Sequence, residues 1–367
     1  MKFISERNVL LKEVSIAQEI ISVKNAMSIL SNVLLEVHDG FLTIKATDLK
    51  VAFETRIPVS GSVNGVTTVF CEKLLGILRS LPDREIEFEV RDGKLTIKPV
   101  GTSIDFQLKS ISSDKFPEVK DAEGLNWFAL PQADVLEMIG QTIFSVSDDE
   151  TRYYMNGVYL ERKGENLAMV ATDGRRLSYI EKKVDSALPE FAGIIIPPKA
   201  LNLIKKLASG QGTMNLAINE KQLYVQFDNQ KIHSNLIEGQ FPNYSRVIPD
   251  SQSFAIGLKK DEFVEALKRV SLLAEQKAKR IYLTVSEGNL MVNTEESEMG
   301  MAKEEIPCEY QGPMTTMALN YVFLTDPLRV LGGDRITLEF TDPKKAMTLR
   351  TDPRKDFFHI VMPMQMD

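Results

Sequence analysis

An internal repeat with a period of about 125 residues limits what this chain can fold into. Residues 42–48 (LTIKATD) recur at 167–173 (LAMVATD), 125 residues later, and a weaker copy (LMVNTE) begins at residue 290 after another 123. The dipeptide Phe-Pro at 116–117 also recurs 125 residues later, at 241–242. In a chain of 367 residues, such a period predicts three domains of similar size. We expect them at residues 1–121, 127–249 and 253–367.

A shorter repeat lies inside the first copy. Residues 38–45 (HDGFLTIK) and 91–98 (RDGKLTIK) both show a strand, an Asp-Gly turn and a second strand, and their glycines are 53 residues apart. Apolar residues at helical spacing precede the two hairpins, at 9–23 and 70–81, and recur at 131–143, 198–208, 259–273 and 318–331. Each domain is therefore predicted to be a doubled helix-plus-antiparallel-strands unit, and the fold class to be α+β.

The linkers at 121–126 and 249–253 are short and are not rich in Gly or Ser, which favours a fixed domain geometry over free tethering. A row of sheets carries exposed edges at its ends. Pairing those edges, ultimately into a closed ring, would remove them.

Charge is unevenly distributed between the helices and the rest of the chain. The formal net charge is −7. The helical segments counted with their flanking residues (7–24, 71–84, 131–143, 198–206, 259–280 and 318–335) together carry +6, which leaves −13 for the rest of the chain. Helices that all face one way would form a basic surface suited to sequence-independent contact with phosphates. We find no interleaving of aromatic and basic residues of the kind that stacks bases, so duplex is favoured over single strand. The charge pattern suggests these residues for the DNA-facing surface: Lys73, Lys199, Lys205, Lys206 and Arg269.

The sequence contains no pattern typical of a catalytic or metal site. P-loop, GxGxxG, GxSxG and HExxH motifs are absent, the three histidines are isolated, and the two cysteines are far apart. The acidic clusters at 148–150 and 304–305 are predicted to be solvated loops. We therefore expect no catalytic residue, no metal and no cofactor. The charged N-terminus does not resemble a signal peptide and no apolar run is long enough to span a bilayer, so we expect a cytoplasmic protein. The contact with duplex expected from the charge pattern would make it nucleoid-associated.

Three motifs together resemble one known family. They are ATDGRRLS at 171–178, FPNYSRVIP at 241–249 and VMPM at 361–364. In this combination they are similar to the bacterial DNA sliding clamp, the beta subunit of DNA polymerase III, and the resemblance covers the whole chain. It implies three tandem clamp domains in each chain and a head-to-tail homodimer that closes into a ring around duplex DNA. It also implies a processivity factor without catalysis that tethers the polymerase III alpha subunit, the clamp loader, other polymerases and repair proteins through short Gln/Leu-Phe peptide motifs.

The resemblance also implies site residues. A basic position of the family that contacts DNA corresponds to Lys24, and the two sides of the dimer interface correspond to Phe106 and Leu108 and to Leu272 and Leu273. The residues expected to form a partner-peptide groove are Met155, Thr172, Gly174, Arg175, Arg176, Leu177, Pro242, Arg246, Val247, Asn320, Phe323, Val361, Met362, Pro363 and Met364. The chain departs from the family pattern at Arg175, where His is common, at Phe323, where Tyr is common, and in its last three residues.

Two other functions remain open at the level of sequence. One is an enzyme that acts on a phosphorylated substrate in a cleft near Arg175 and Arg246. The surrounding Met, Leu, Val and Pro residues suit a peptide groove better than proton transfer. The other is a repeat scaffold that does not bind DNA, which retention on circular but not linear DNA would distinguish from a clamp.

Overall fold

The six predicted helices are present in the structure, a computed structural model that describes residues 1–21, 29–118, 122, 124–184 and 188–366. The helices of this described part are α1 (Arg7–Ile20), α2 (Cys71–Ser80), α3 (Gln132–Thr142), α4 (Pro198–Leu207), α5 (Lys260–Val270) and α6 (Tyr321–Leu328). Each lies inside or within two residues of a predicted segment, which confirms the helical predictions. The sixth begins three residues later than predicted, because the side chain of Asn320 accepts a hydrogen bond from the Val322 N–H and caps the helix there.

Twenty-five strands account for most of the remaining described chain. They are β1 (Lys2–Glu6), β2 (Asn32–His38), β3 (Phe41–Thr47), β4 (Val51–Pro58), β5 (Ser60–Val63), β6 (Gly65–Phe70), β7 (Glu85–Arg91), β8 (Lys94–Pro99), β9 (Phe106–Ile111), β10 (Trp127–Pro131), β11 (Val158–Lys163), β12 (Asn166–Thr172), β13 (Arg176–Lys183), β14 (Ile194–Ile196), β15 (Thr213–Ile218), β16 (Gln222–Phe227), β17 (Gln230–Asn235), β18 (Phe254–Lys259), β19 (Arg280–Ser286), β20 (Asn289–Asn293), β21 (Lys303–Pro307), β22 (Thr315–Asn320), β23 (Arg335–Phe340), β24 (Met347–Thr351) and β25 (Phe357–Val361).

The two predicted Asp-Gly hairpins are confirmed. Asp39 and Gly40 join β2 to β3 with φ values of 49° and 80°, and Asp92 and Gly93 join β7 to β8 with φ values of 49° and 70°. Positive φ at both central residues is the geometry that matches the twist of a two-residue hairpin, and Asp and Gly tolerate it better than other residues. The repeated segments of sequence therefore encode the same turn twice.

The described chain divides into two compact units, and the first contains residues 1–131 and 211–236. Its sheet has thirteen strands in the order β10-β15-β16-β17-β4-β3-β2-β6-β9-β8-β7-β1-β5. Helices α1 and α2 pack against each other, and α1 buries Leu10, Val14 and Ala17 on one face. Strand β17, from the central third of the chain, pairs with β4 of the first third, with Gln230 opposite Thr55. We call this pairing of strands from different thirds the β4–β17 seam.

The second unit contains residues 132–210 and 237–367. It has an eight-stranded sheet, β14-β11-β12-β13-β25-β24-β23-β18, and a four-stranded sheet, β21-β20-β19-β22. Helix α3 packs with α4, and α5 with α6. At the β13–β25 seam the last strand of the chain joins the central third. The compact units differ from the predicted domains because hydrogen-bonded sheets continue across both seams, and the domain boundaries stay a prediction.

Candidate functional site

A groove with a volume of about 190 Å³ lies over the β13–β25 seam. Its floor includes Leu177 and Ile360, a directly paired couple on the two strands. The lining residues are Met155, Thr172, Gly174, Arg175, Arg176, Leu177, Pro242, Asn243, Tyr244, Val247, Ile360 and Met362. No Asp or Glu is among these described lining residues. The groove is therefore apolar with a cationic side, in a chain of net negative charge.

A tight turn between β12 and β13 builds one wall of the groove. Thr172 accepts a hydrogen bond through Oγ1 from the Gly174 N–H at 3.1 Å and donates to the Arg176 carbonyl at 2.6 Å. Asp173 accepts through Oδ1 from the N–H groups of Arg175 and Arg176, at 2.9 and 3.0 Å. Gly174 has a φ of 88°, a conformation that side chains disfavour. The motif thus encodes a rigid turn that fixes the backbone positions of Arg175 and Arg176.

All three guanidinium nitrogens of Arg176 donate hydrogen bonds to groups of the same chain. It lies 3.1 Å from the Asp173 carboxylate and 2.7 Å from that of Asp326, and it donates to the Phe144 carbonyl at 2.5 Å. Its central carbon also lies 4.7 Å from the ring centroid of Phe323. All three charged side chains are at most 17% exposed, so these contacts are shielded from bulk water. Arg176 therefore ties α6 to β13 beside the groove.

The end of the chain forms the opposite wall. The Met362 N–H donates to the Arg175 carbonyl at 2.9 Å, and the Met364 N–H donates to the Ala318 carbonyl at 2.8 Å. These backbone bonds hold the terminal segment in place, whereas the Met362 side chain stays 39% exposed. Val361 is different, because it is 1% exposed and successive side chains of a strand point to opposite faces. The prediction that Val361 lines the groove is therefore wrong, and Ile360 lines it instead.

Tyrosines stabilise the wall behind the groove. Tyr244, which lines the groove, donates from its hydroxyl to Glu161, and Tyr179 donates to Glu181. Burial raises the pKa of both hydroxyls, and the neighbouring carboxylates raise each pKa further. These phenols stay protonated at neutral pH, so they hold their rings in position and do not act as bases.

Comparison with known proteins identifies the family of this chain. Family models of the DNA polymerase III beta subunit match three consecutive segments: the N-terminal domain at residues 1–120, the central domain at 129–243 and the C-terminal domain at 245–365. A beta sliding clamp from Treponema pallidum is 46% identical over the full length of both chains. The chain belongs to the DNA polymerase III beta subunit family.

More distant members agree over the whole chain. The beta sliding clamp of Escherichia coli K12 is 29% identical with full coverage of both chains, and a crystal structure of the Pseudomonas aeruginosa sliding clamp superposes with a TM-score of 0.95 at 28% identity, again with full coverage. The prediction of three tandem clamp domains is thereby confirmed. Members of this family are processivity clamps, accessory to DNA polymerase and not catalysts, so the enzyme alternative is set aside. Membership also implies DNA and polymerase as partners, and dimerisation.

Nine of the fifteen residues predicted for the groove line it in the described chain. The six that do not line it are Arg246, Asn320, Phe323, Val361, Pro363 and Met364. Phe323 and Asn320 belong to the α6 region beneath Arg176, and Arg246 is exposed on the 3₁₀ turn Tyr244–Val247. Three lining residues were missed: Asn243 and Tyr244, which stand inside the quoted FPNYSRVIP motif, and Ile360, which strand alternation beside Met362 would have indicated.

The predicted interface residues belong to different units, Phe106 and Leu108 to the first and Leu272 and Leu273 to the second. β9 carries Phe106 and Leu108, and its last two residues, Ser110 and Ile111, pair with β6. Residues 106–109 pair with β8 alone among the described strands. Leu272 and Leu273 follow helix α5 in the 3₁₀ turn Ser271–Leu273, and Leu272 is 77% exposed.

The residues predicted to face DNA differ in exposure and in ion pairing. Lys24 lies outside the described residues, Lys73, Lys205 and Lys206 are exposed, and Lys199 is half-buried on α4. The fifth, Arg269, makes a bidentate ion pair with Glu304 at 2.6 and 2.8 Å, and this hydrogen-bonded pair raises the pKa of Arg269. Its charge is compensated within the chain, so we withdraw Arg269 as a DNA contact.

The acidic clusters do not form a metal site. Glu304 and Glu305 belong to β21, so the prediction of a solvated loop is wrong for them. No group of three or more His, Cys, Asp or Glu side chains in the described chain is arranged to hold a metal ion. Among the described helices, none is long and apolar enough to cross a membrane.

Proposed function

We propose that the groove binds short peptide segments of replication and repair proteins, each with a Gln and a Leu-Phe-type apolar pair. The polymerase III alpha subunit, the clamp loader and other polymerases are the partners we expect to present such segments. The observation that carries this proposal is the apolar floor of Leu177 and Ile360, flanked by Val247 and Met362, which are 47% and 39% exposed. Exposed methionine adapts to differently shaped partners, which suits one site that serves several proteins in turn.

The polar side of the groove favours two arginines for orienting the peptide. Arg176 is already committed to Asp173 and Asp326, and Asn320 uses its side-chain oxygen to cap α6. Arg175 and Arg246 are exposed and are the better candidates for contact with the peptide. Burying one Leu or Phe contributes about 1.5–3 kcal/mol, so we expect micromolar affinity for an isolated peptide.

The ring is the second part of the proposal. We propose that Phe106 and Leu108 of one copy pack against Leu272 and Leu273 of a second copy, with domain boundaries near 1–121, 127–249 and 253–367. Leu272, which is 77% exposed beside Leu273 just after α5, supplies apolar surface that the second copy would cover. The dimer would enclose duplex DNA beside the helices, with Lys24, Lys73, Lys199, Lys205 and Lys206 nearest the phosphates. Enclosure accounts for nucleoid association without tight or sequence-specific binding.

Two methionines make a matched test of the groove. Met362 and Met366 are equally exposed, at 39% each, but Met362 lines the groove and Met366 does not. In a calorimetric titration with a Gln/Leu-Phe peptide, Met362→Ala should weaken binding about tenfold, since the shorter side chain buries less apolar surface, worth about 1.4 kcal/mol. Met366→Ala should bind as the unmodified protein does. Equal affinity in all three proteins would refute the groove as the peptide site.

A further inference from the structure

A chain of buried hydrogen bonds lies directly behind the groove floor. His359 and Ser178 are paired across the β13–β25 seam and are each 1% exposed. The imidazole Nδ1 lies 2.9 Å from Ser178 Oγ, and Nε2 lies 3.1 Å from Gln141 Oε1. Ser178 Oγ lies 2.6 Å from Ser145 Oγ, and Gln141 Nε2 donates to the Val330 carbonyl at 3.2 Å.

The hydrogen-bonding capacity of each group determines which atom donates and which accepts in every bond of this network. Gln141 donates through its nitrogen to Val330, so the oxygen that faces His359 accepts only. His359 must then carry its proton on Nε2, which leaves Nδ1 as an acceptor for the Ser178 hydroxyl. Ser178 in turn accepts from Ser145. Each polar atom of the imidazole and of the Ser178 hydroxyl has a partner, and burial lowers the pKa of His359 to about 3, which keeps the ring neutral.

These hydrogen bonds connect the elements that surround the groove. Gln141 is on α3, Ser178 on β13, His359 on β25, and Val330 follows α6. Ser178 and His359 are each adjacent in sequence to a floor residue, Leu177 and Ile360 respectively. Fully satisfied buried polar networks favour one arrangement of the elements they join, whereas apolar contacts alone tolerate sliding.

We propose that His359, in the Nε2–H form, is a positioning residue for the peptide groove, which acts through Gln141 to hold the α6 side against the floor. It does not touch the peptide. This inference rests on the proposed function of the groove, and it predicts that peptide affinity depends on a bond on the far side of the sheet.

Two buried glutamines allow a matched experiment. Gln141 is 4% exposed, and Gln230, at the β4–β17 seam of the other unit, is 5% exposed and donates to Glu13 at 3.3 Å. Gln141→Met and Gln230→Met are the same near-isosteric change at two seams, and only the first adjoins the groove. In a calorimetric titration, Gln141→Met should weaken peptide binding at least fivefold, because it removes the bonds to His359 and Val330, and the net contribution of one hydrogen bond already corresponds to about fivefold. Gln230→Met should leave peptide affinity within about twofold of the unmodified protein while lowering its melting temperature.

Variants of His359 provide a second measurement. His359→Leu removes both hydrogen bonds and should weaken peptide binding at least as much as Gln141→Met. His359→Gln can still donate an amide N–H toward Gln141 and should recover part of the affinity. Nitrogen-15 NMR of labelled histidine in the full-length dimer should show the Nε2–H tautomer.

The outcomes separate the two proposals. If the unmodified protein fails to bind the peptide, the proposed function is refuted and this inference with it. If it binds and Gln141→Met binds equally well, the inference alone is refuted, and an Nδ1–H tautomer refutes it too. Equal weakening in Gln141→Met and Gln230→Met would also overturn it, because general loss of stability would then explain both. Should His359→Leu fail to fold, Gln141→Met and the NMR tautomer still decide.

Discussion

Burial of a neutral histidine makes the stability of this chain depend on pH in a predictable direction. His359 has an ordinary pKa of 6.5 and a folded-state pKa of about 3, because the buried site excludes the charged ring and the nearby Arg176 repels it. Below pH 6.5 the unfolded chain binds a proton that the folded chain does not. Stability is therefore full above pH 6.5 and is lost as the pH falls from 6.5 toward 3.

The size of the effect follows from the two pKa values. Each pH unit in this window costs about 1.36 kcal/mol per proton, so the loss from this residue at pH 5 is about 2 kcal/mol relative to pH 7.5. His359→Gln cannot titrate in this range. We expect the free energy of unfolding, from urea titrations followed by circular dichroism, to fall by about 2 kcal/mol more in the unmodified protein than in the variant between these two pH values.

Comparing the two proteins isolates the histidine. Other titrating groups, including the buried Glu13, whose pKa is raised by burial, are present in both and cancel in the difference. Glu13 itself acts in the opposite sense, since a raised carboxyl pKa makes stability fall as the pH rises. An identical pH dependence in unmodified protein and His359→Gln would show that the ring ionises as freely in the folded chain as in the unfolded one. The buried, neutral assignment would then be wrong.

Two further predictions concern the dimer and the DNA. Replacing Leu272 and Leu273 with Ala should give folded monomers in analytical ultracentrifugation. The control is Leu49→Ala, at a leucine that is 60% exposed and outside the proposed interface, which should leave the dimer intact. A tight dimer of the double variant would contradict the interface assignment. Lys205→Gln should reduce the slope of log affinity against log salt for short linear duplex by about 0.9 for each phosphate that is no longer neutralised. Rings loaded on closed circular DNA should stay bound at salt concentrations that abolish binding to the short duplex. An unchanged slope would remove Lys205 from the DNA-facing surface.

Sequence patterns predict the local structure of this chain well because the signals are themselves local. A helix needs apolar residues every three or four positions, and a two-residue hairpin needs Asp-Gly between alternating strands, so both can be identified within about fifteen residues. The α6 start shows the limit of periodicity, since the cap formed by Asn320 and not the apolar pattern sets where the helix begins. The pairing of Glu304 with Arg269 shows another limit, because the two residues are 35 positions apart and only the fold brings them together.

The groove itself depends on a strand pairing that local sequence cannot reveal. The motif around VMPM resembles an exposed chain end, where order is not the default. In the structure, β25 pairs with β13, nearly two hundred residues earlier, and Met362 continues the contact through its N–H bond to Arg175. That pairing fixes the alternation, so Ile360 and Met362 face the groove while Val361 and His359 face the other side of the sheet. One long-range register therefore determines both the lining of the groove and the hydrogen-bonded network behind it, which is why the family resemblance located the segment but included Val361 and left out Ile360.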